Sequence, residues 1–135
     1  MDKIVVYVET EINPTESEEK IKKAIWNLFG DIPTQITPAL KGSILQAQAE
    51  GLDALATLRN LLRKDRIRDA ARKPLLEGVN NNTITFYLNK QVAFAGHISF
   101  SEEVAESPLG PIKITVKCEN PRELIDWLAP RTTKN

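Results

Sequence analysis

A chain of 135 residues with 41% hydrophobic residues is long enough to bury a core and too apolar for global disorder. Its 18 basic and 18 acidic residues cancel, which argues against a general attraction to polyanions, and a single cysteine excludes an internal disulfide framework. No run approaches the roughly 18 apolar residues of a membrane span, and the N-terminus turns acidic too soon for a signal peptide, so the expectation is a soluble cytoplasmic protein: one domain over residues 1–130 and a frayed tail at 131–135.

Ile4, Val6, Val8, Thr10 and Ile12 alternate with Val5, Tyr7, Glu9 and Glu11, which predicts a strand over 3–12. Asn13-Pro14 ends it. Thr15-Glu16-Ser17-Glu18 fits a capping box for a helix over 16–29, with Ile21, Ala24, Ile25 and Leu28 inward and Gly30 as the stop. Residues 31–42, with Pro33, Pro38 and Gly42, read as a loop. Residues 43–50 have a helix-favouring composition, but the alternation of Leu45, Ala47 and Ala49 before Gly51 points to a strand. Leu52, Leu55, Leu58 and Leu62 then make a helical stripe. Asp65 is placed to cap a second segment with Ile67, Ala70, Ala71 and Leu75 buried, which Pro74 should end or kink.

After a loop at Gly78 and Asn80–Asn82, residues 83–100 read as a hairpin with a three-residue loop, Asn89-Lys90-Gln91. That register puts Ile84, Phe86, Leu88, Val92, Phe94 and Ile98 on one apolar face, and it leaves Tyr87 and His97 on the other. An acidic loop at 101–111 leads to a strand of Ile112, Ile114, Val116 and Cys118 alternating with Lys113, Thr115 and Lys117. Asn120-Pro121-Arg122-Glu123 opens a last helix with Leu124, Ile125 and Leu128 inward, Trp127 beside them in the core and Pro130 at its end. The order β-α-β-α-α-β-β-β-α gives an α+β fold: two layers, a mostly antiparallel sheet and helices on one face. Tyr87, His97, Lys113 and Lys117 would occupy the other face.

Catalytic chemistry finds little support. His97 is the only histidine, with no partner evident in sequence, and reads as a polar residue on a solvated face. Cys118 falls on the apolar side of its strand and reads as a packing thiol. One His and one Cys exclude the usual zinc ligand set within one chain, and the six glycines are scattered rather than gathered in a phosphate loop. Neither an enzyme nor a cofactor is expected.

The concentrated feature is residues 59–73, with seven basic residues against Asp65 and Asp69, a local charge of +5. Residues 1–19 balance it at −5. Arg59, Arg63 and Arg66 recur at i, i+4 and i+7, and Lys64, Arg68 and Arg72 form a second line at i+4 spacing. Arginines so presented grip phosphates and stack on bases. The competing account is a solvated face in which Asp65 pairs with Arg68 and Asp69 with Arg72 or Lys73. Trp26, off the apolar stripe of its helix beside Lys22 and Lys23, and Tyr87 are each read first as rim packing and second as base-stacking surfaces.

Phe86-Tyr-Leu-Asn-Lys-Gln-Val-Ala-Phe94, Ser107-Pro-Leu-Gly-Pro-Ile112, Arg66-Ile-Arg-Asp-Ala-Ala-Arg72 and Asp126-Trp-Leu-Ala-Pro130 together resemble a small archaeal family of uncharacterised proteins. Its members are described as predicted RNA-binding proteins or predicted exosome subunits, with a fold similar to ribosomal protein L five. The resemblance covers nearly the whole chain and favours the strand at 43–50. In the family the basic motif runs closer to Ile-Leu-Asp-x-x-Arg; here Arg68 takes the leucine position, making the segment more basic. No catalytic residue is implied.

The expected function is therefore non-catalytic RNA binding, linked to RNA processing or translation. Arg59, Arg63, Lys64, Arg66, Arg68 and Arg72 would contact phosphates, with Lys90, Lys113 and Lys117 as secondary contacts. The expected partner is RNA, structured or ribosomal. An accessory subunit of an RNA-processing complex without direct RNA contact is the alternative, homo-oligomerisation stays open, and no membrane is involved.

Overall fold

The structure, a computed structural model, describes residues 3–102 and 110–132. In chain order these form β1 (Val5–Ile12), α1 (Glu18–Phe29), β2 (Thr34–Pro38), β3 (Ser43–Glu50), a 3-10 turn (Leu52–Leu55), α2 (Ala56–Lys64), α3 (Arg68–Glu77), β4 (Val79–Asn80), β5 (Thr83–Leu88), α4 (Lys90–Phe94), β6 (Phe100–Ser101), β7 (Ile112–Lys117) and α5 (Pro121–Leu128). Among the described residues the strands make one sheet in the order β2-β3-β1-β7-β5-β4, with β6 added on β5, and every pairing is antiparallel. The expected two-layer α+β architecture holds, with more elements than the sequence suggested.

Period-2 burial makes the two layers. Val6, Val8, Leu45, Ile84, Phe86, Leu88, Ile112, Ile114 and Val116 lie on the covered face of the sheet. They meet Ile25, Leu28, Leu55, Leu58, Leu62, Leu75, Leu124 and Leu128 from the helices in one core. The opposite face carries Tyr7, Glu9, Gln46, Gln48, Lys113 and Lys117. The register sets Tyr7 opposite Thr115, and Glu9 opposite Lys113. Lys113 in turn lies opposite Tyr87.

Local readings need correction at several places. The 31–42 segment contains β2, which pairs with β3 so that Ile36 faces Leu45 across the ladder. Its Pro38 sits at the end of an outer strand, where a missing N–H costs no ladder bond. The cap of α1 is Ser17, whose hydroxyl accepts from the Lys20 amide, and not Thr15. Glu16 folds back to accept from the backbone and side chain of Asn13 at 2.9 and 2.7 Å. Pro74 lies inside α3, which runs on to Glu77.

The largest correction is the 83–100 hairpin. After Leu88, Asn89 caps a short helix by accepting from the Val92 amide at 2.9 Å, and residues 90–94 coil as α4. Alternating apolar residues over so short a run fit either period, and the capping asparagine decides it. The expected pairs Leu88–Val92 and Phe86–Phe94 therefore do not form. β5 is bordered by β7 and β4, and the chain returns to it only at Leu88–Phe100 and Tyr87–Ser101. His97 leaves the sheet altogether. Asn120 and Pro121 begin α5 as expected, and Trp127 is half-buried against the core. Most of the acidic loop at 101–111, and residues 133–135 of the tail, lie outside the described residues; within the tail, Thr132 hydrogen-bonds to Asp69.

Candidate nucleic-acid interface

Three of the nine expected contact residues are bound into the fold. Arg72 is 8% exposed and donates to the Ala129 carbonyl at 2.9 Å and to Asp126 at 2.8 Å. Arg59 lies over the Trp127 ring, 4.8 Å from its centroid, and donates from Nε to the Trp127 carbonyl at 2.9 Å. Both clamp α5 to the α2–α3 pair. Lys90, 4% exposed, donates to the Glu11 carbonyl at 2.7 Å and to Glu16 Oε1 at 3.1 Å. Burial alone would raise the Glu16 pKa, but the bonds from Asn13 and the adjoining Lys90 ammonium outweigh it and hold the carboxyl below its ordinary value. These three cations are engaged within the fold, Arg72 and Lys90 buried and Arg59 half-buried, and are not free on the surface as the sequence suggested.

Lys113 and Lys117 are exposed on the open sheet face, with the Lys117 ammonium 5.4 Å from the Tyr7 ring centroid. The helices lie on the other side of the sheet, so these lysines do not converge with the basic stretch. Glu9 and Glu11 share their face.

What remains of the basic stretch is compact. α2 ends at Lys64, and its end has the hydrogen-bond signature of a Schellman motif: the Ile67 amide donates to the Leu62 carbonyl and the Arg66 amide to the Arg63 carbonyl. Arg66 consequently takes the left-handed conformation, φ 58°, at the position where glycine is usual. The two helical lines read from the sequence are broken by this turn: Arg66 is not helical, and Lys64 belongs to a different helix from Arg68 and Arg72. Arg63, Lys64 and Arg66 are exposed and Arg68 is half-buried, and none forms an ion pair among the described residues.

The two aspartates of the stretch do not do what the salt-bridged alternative requires. The Asp65 side chain is 12% exposed and faces the segment after α4. It accepts from the Ile98 amide at 3.0 Å and meets His97 Nδ1 at 3.1 Å. Asp69 accepts from the backbone and hydroxyl of Thr132, which together with Arg68 and Arg72 nearby hold its carboxyl below the ordinary aspartate value. Cys118 is buried, and burial pushes its thiol above the usual value, away from a reactive thiolate.

Sequence reasoning missed the exposure of Phe94, which it assigned to the core, and the placement of Lys20 against it. The usable signal was Asn89 three residues before Val92, a helix-cap spacing that would have rotated Phe94 off the apolar face.

A family model described as RNA binding matches residues 5–118. A UPF0201 protein of Sulfurisphaera tokodaii is 45% identical over 134 residues, covering 99% of this chain and 91% of that protein. One from Pyrobaculum islandicum is 44% identical over 123 residues, covering 90% and 86%. The crystal structure of a UPF0201 protein from Methanococcus jannaschii superposes with a TM-score of 0.84 at 29% identity, over 96% of this chain and 95% of that one. A second UPF0201 crystal structure does so with a TM-score of 0.79 at 37% identity, over 97% of both chains.

Proposed function

The chain belongs to the archaeal UPF0201 family, whose matching family model is described as RNA binding, and on that footing we propose that it binds RNA without catalysis, through the turn joining α2 and α3. The observation that carries the proposal is the turn itself. Arg63, Lys64, Arg66 and Arg68 occupy four of six consecutive positions with no ion pair among the described residues, while Asp65, the one acid between them, is turned inward.

Two physical points support this. Four cations within six positions, none of them in an ion pair among the described residues, repel one another, which a purely structural turn has no reason to keep. Arg66 also holds a left-handed backbone that costs an L-residue roughly 1 kcal/mol, in a place where glycine would relieve it. A long guanidinium side chain at that spot supplies a phosphate contact that glycine cannot. The contacts are with the backbone of the RNA, so affinity is strongly salt-dependent and only weakly sequence-dependent. RNA processing or translation in the cytoplasm is the setting that goes with this activity.

The test is retention of RNA by the purified protein. Nucleic acid that co-purifies at low salt and is released by ribonuclease or high salt supports the proposal, as does its loss on charge reversal at Arg63 and Arg68 with unchanged oligomeric state. An oligomeric state that collapses with the same reversal, with no RNA at any salt, would make the turn a protein-binding surface.

A further inference from the structure

Trp26 and Phe94 are 53% and 43% exposed, although the remaining aromatic side chains are buried or half-buried. Each has a lysine ammonium on its ring: Lys23 Nζ lies 4.7 Å from the Trp26 centroid and Lys20 Nζ 5.5 Å from that of Phe94. Lys20 and Lys23 are one turn apart on α1. Asn27, one turn further, donates to the carbonyls of Ala93 and Phe94 and ties α1 to α4. Directly after α4, the His97–Ile98 segment is tied to Asp65 at the basic turn. Residues 93–98 therefore link α1, through Asn27 and the Phe94–Lys20 pair, to Asp65 at the basic turn, with the Trp26–Lys23 pair on the adjoining surface of α1.

A cleft of ≈ 330 Å³ opens beside Phe94, with Thr15, Ser17, Lys20 and Gln91 among its walls together with the mostly buried Lys90–Glu16 pair. It combines an aromatic wall, hydroxyl and amide groups able to hydrogen-bond a base edge, and a cation at the rim. Its volume is near the lower end of the range for small-ligand sites.

We infer that Trp26 and Phe94 stack on unpaired RNA bases, Phe94 as a wall of this cleft, while Lys20 and Lys23 move from the rings to the adjoining phosphates. The inference rests on the RNA-binding proposal above and specifies its substrate class as RNA with unpaired nucleotides, in a single strand or a loop. The physical reason is selective: every base offers a face to an exposed ring, but in a duplex those faces are already stacked. Neither Lys20 nor Lys23 forms an ion pair among the described residues, although Glu19 stands four positions before Lys23, so both lysines stay available.

The experiment compares two probes, a 12-nucleotide oligouridylate and the same strand annealed to oligoadenylate, by fluorescence anisotropy. Trp26→Ala and Phe94→Ala are each expected to weaken single-strand binding about tenfold while changing duplex binding by less than about twofold. Trp26→Phe and Phe94→Tyr, which keep a ring, should retain single-strand affinity. Thermal melting of each variant guards against misfolding. Equal losses on both probes, or no loss where Arg63→Gln/Arg66→Gln does weaken binding, would overturn the stacking inference and leave the basic turn standing. A wild-type protein that binds neither probe would overturn both. A protein dimer that dissociates with Trp26→Ala in sedimentation would make the aromatic pair a contact with a second copy of the chain and overturn the inference as well.

Discussion

The carboxylate of Asp65 accepts the backbone N–H of Ile98 at 3.0 Å, across 33 positions of sequence, and this one contact changes the charge character of residues 63–68. With Asp65 engaged there, Arg63, Lys64 and Arg66 stay exposed and Arg68 half-buried beside Asp69, and none of the four forms an ion pair among the described residues. The same contact fixes the segment that follows α4 against the end of α2.

Asp65→Asn retains an oxygen to accept from Ile98 while removing the negative charge. It should cost little stability and tighten RNA binding at low salt by a few-fold, since one screened charge near a phosphate is worth roughly 1 kcal/mol or less. Asp65→Ala leaves the Ile98 amide unpaired and should lower stability by about 1–3 kcal/mol in urea unfolding. Weaker binding by the asparagine variant at unchanged stability would show that the charge of Asp65 itself positions the turn's cations.

Arg66→Gly offers a test of opposite signs. Glycine accepts φ 58° without strain, so unfolding experiments should show a chain as stable as the wild type or up to about 1 kcal/mol more stable. RNA affinity should nevertheless fall severalfold. A variant that loses stability would mean that the Arg66 side chain braces the turn.

Lys90→Met and Arg72→Met address the cations absorbed by the fold. Lys90→Met leaves the Glu16 charge beside the core with only its bonds from Asn13, and Arg72→Met removes the donor to the Ala129 carbonyl and to Asp126. Lys90→Met should destabilise the protein by about 3 kcal/mol, the scale for breaking a buried pair, and Arg72→Met by about 1–3 kcal/mol, because Asp126 is solvent-exposed and the main loss is the donor to the buried Ala129 carbonyl. RNA affinity at a temperature where the variants are folded should match the wild type. An affinity loss in a folded variant would return that residue to the interface.

Much of this architecture was legible from periodicity and caps. β1, β3, β7 and α5 follow from Val6-x-Val8, Leu45-x-Ala47, Ile112-x-Ile114-x-Val116 and Asn120-Pro121, where local pattern and tertiary burial agree. α4 was lost because Val92-Ala93-Phe94 is too short to distinguish a period of two from one of 3.6. The fate of the cations was not legible either. Arg59 and Arg72 find partners on α5, 68 and 54–57 positions away, and Asp65 finds Ile98, so sorting structural from free charge required tertiary contacts. Local spacing suggested Asp65–Arg68 and Asp69–Arg72 pairs, but helix-surface pairs are worth only about 0.2–0.5 kcal/mol and yield to a backbone amide that needs an acceptor.

Glu16, held by Asn13 and Lys90, also sets a pH dependence. The Glu16 pKa in the folded protein lies below its ordinary value of 4.5, so its stabilising contribution is fully present above that value and is lost as pH falls through the folded pKa. The melting temperature should drop across the acid range below 4.5, and Glu16→Gln should flatten part of that drop. An identical acid profile in the variant would assign the acid sensitivity to other carboxylates.

The central claim, that Arg63, Lys64, Arg66 and Arg68 hold RNA phosphates, is tested most directly by the salt dependence of binding to single-stranded RNA. Four contacts predict a slope of log K against log salt near −2.8, and Arg63→Gln/Arg66→Gln should bring it to about −1.4, each lost contact removing about 0.7. A slope left unchanged by the double variant, or an absence of RNA affinity at low salt, would contradict the account.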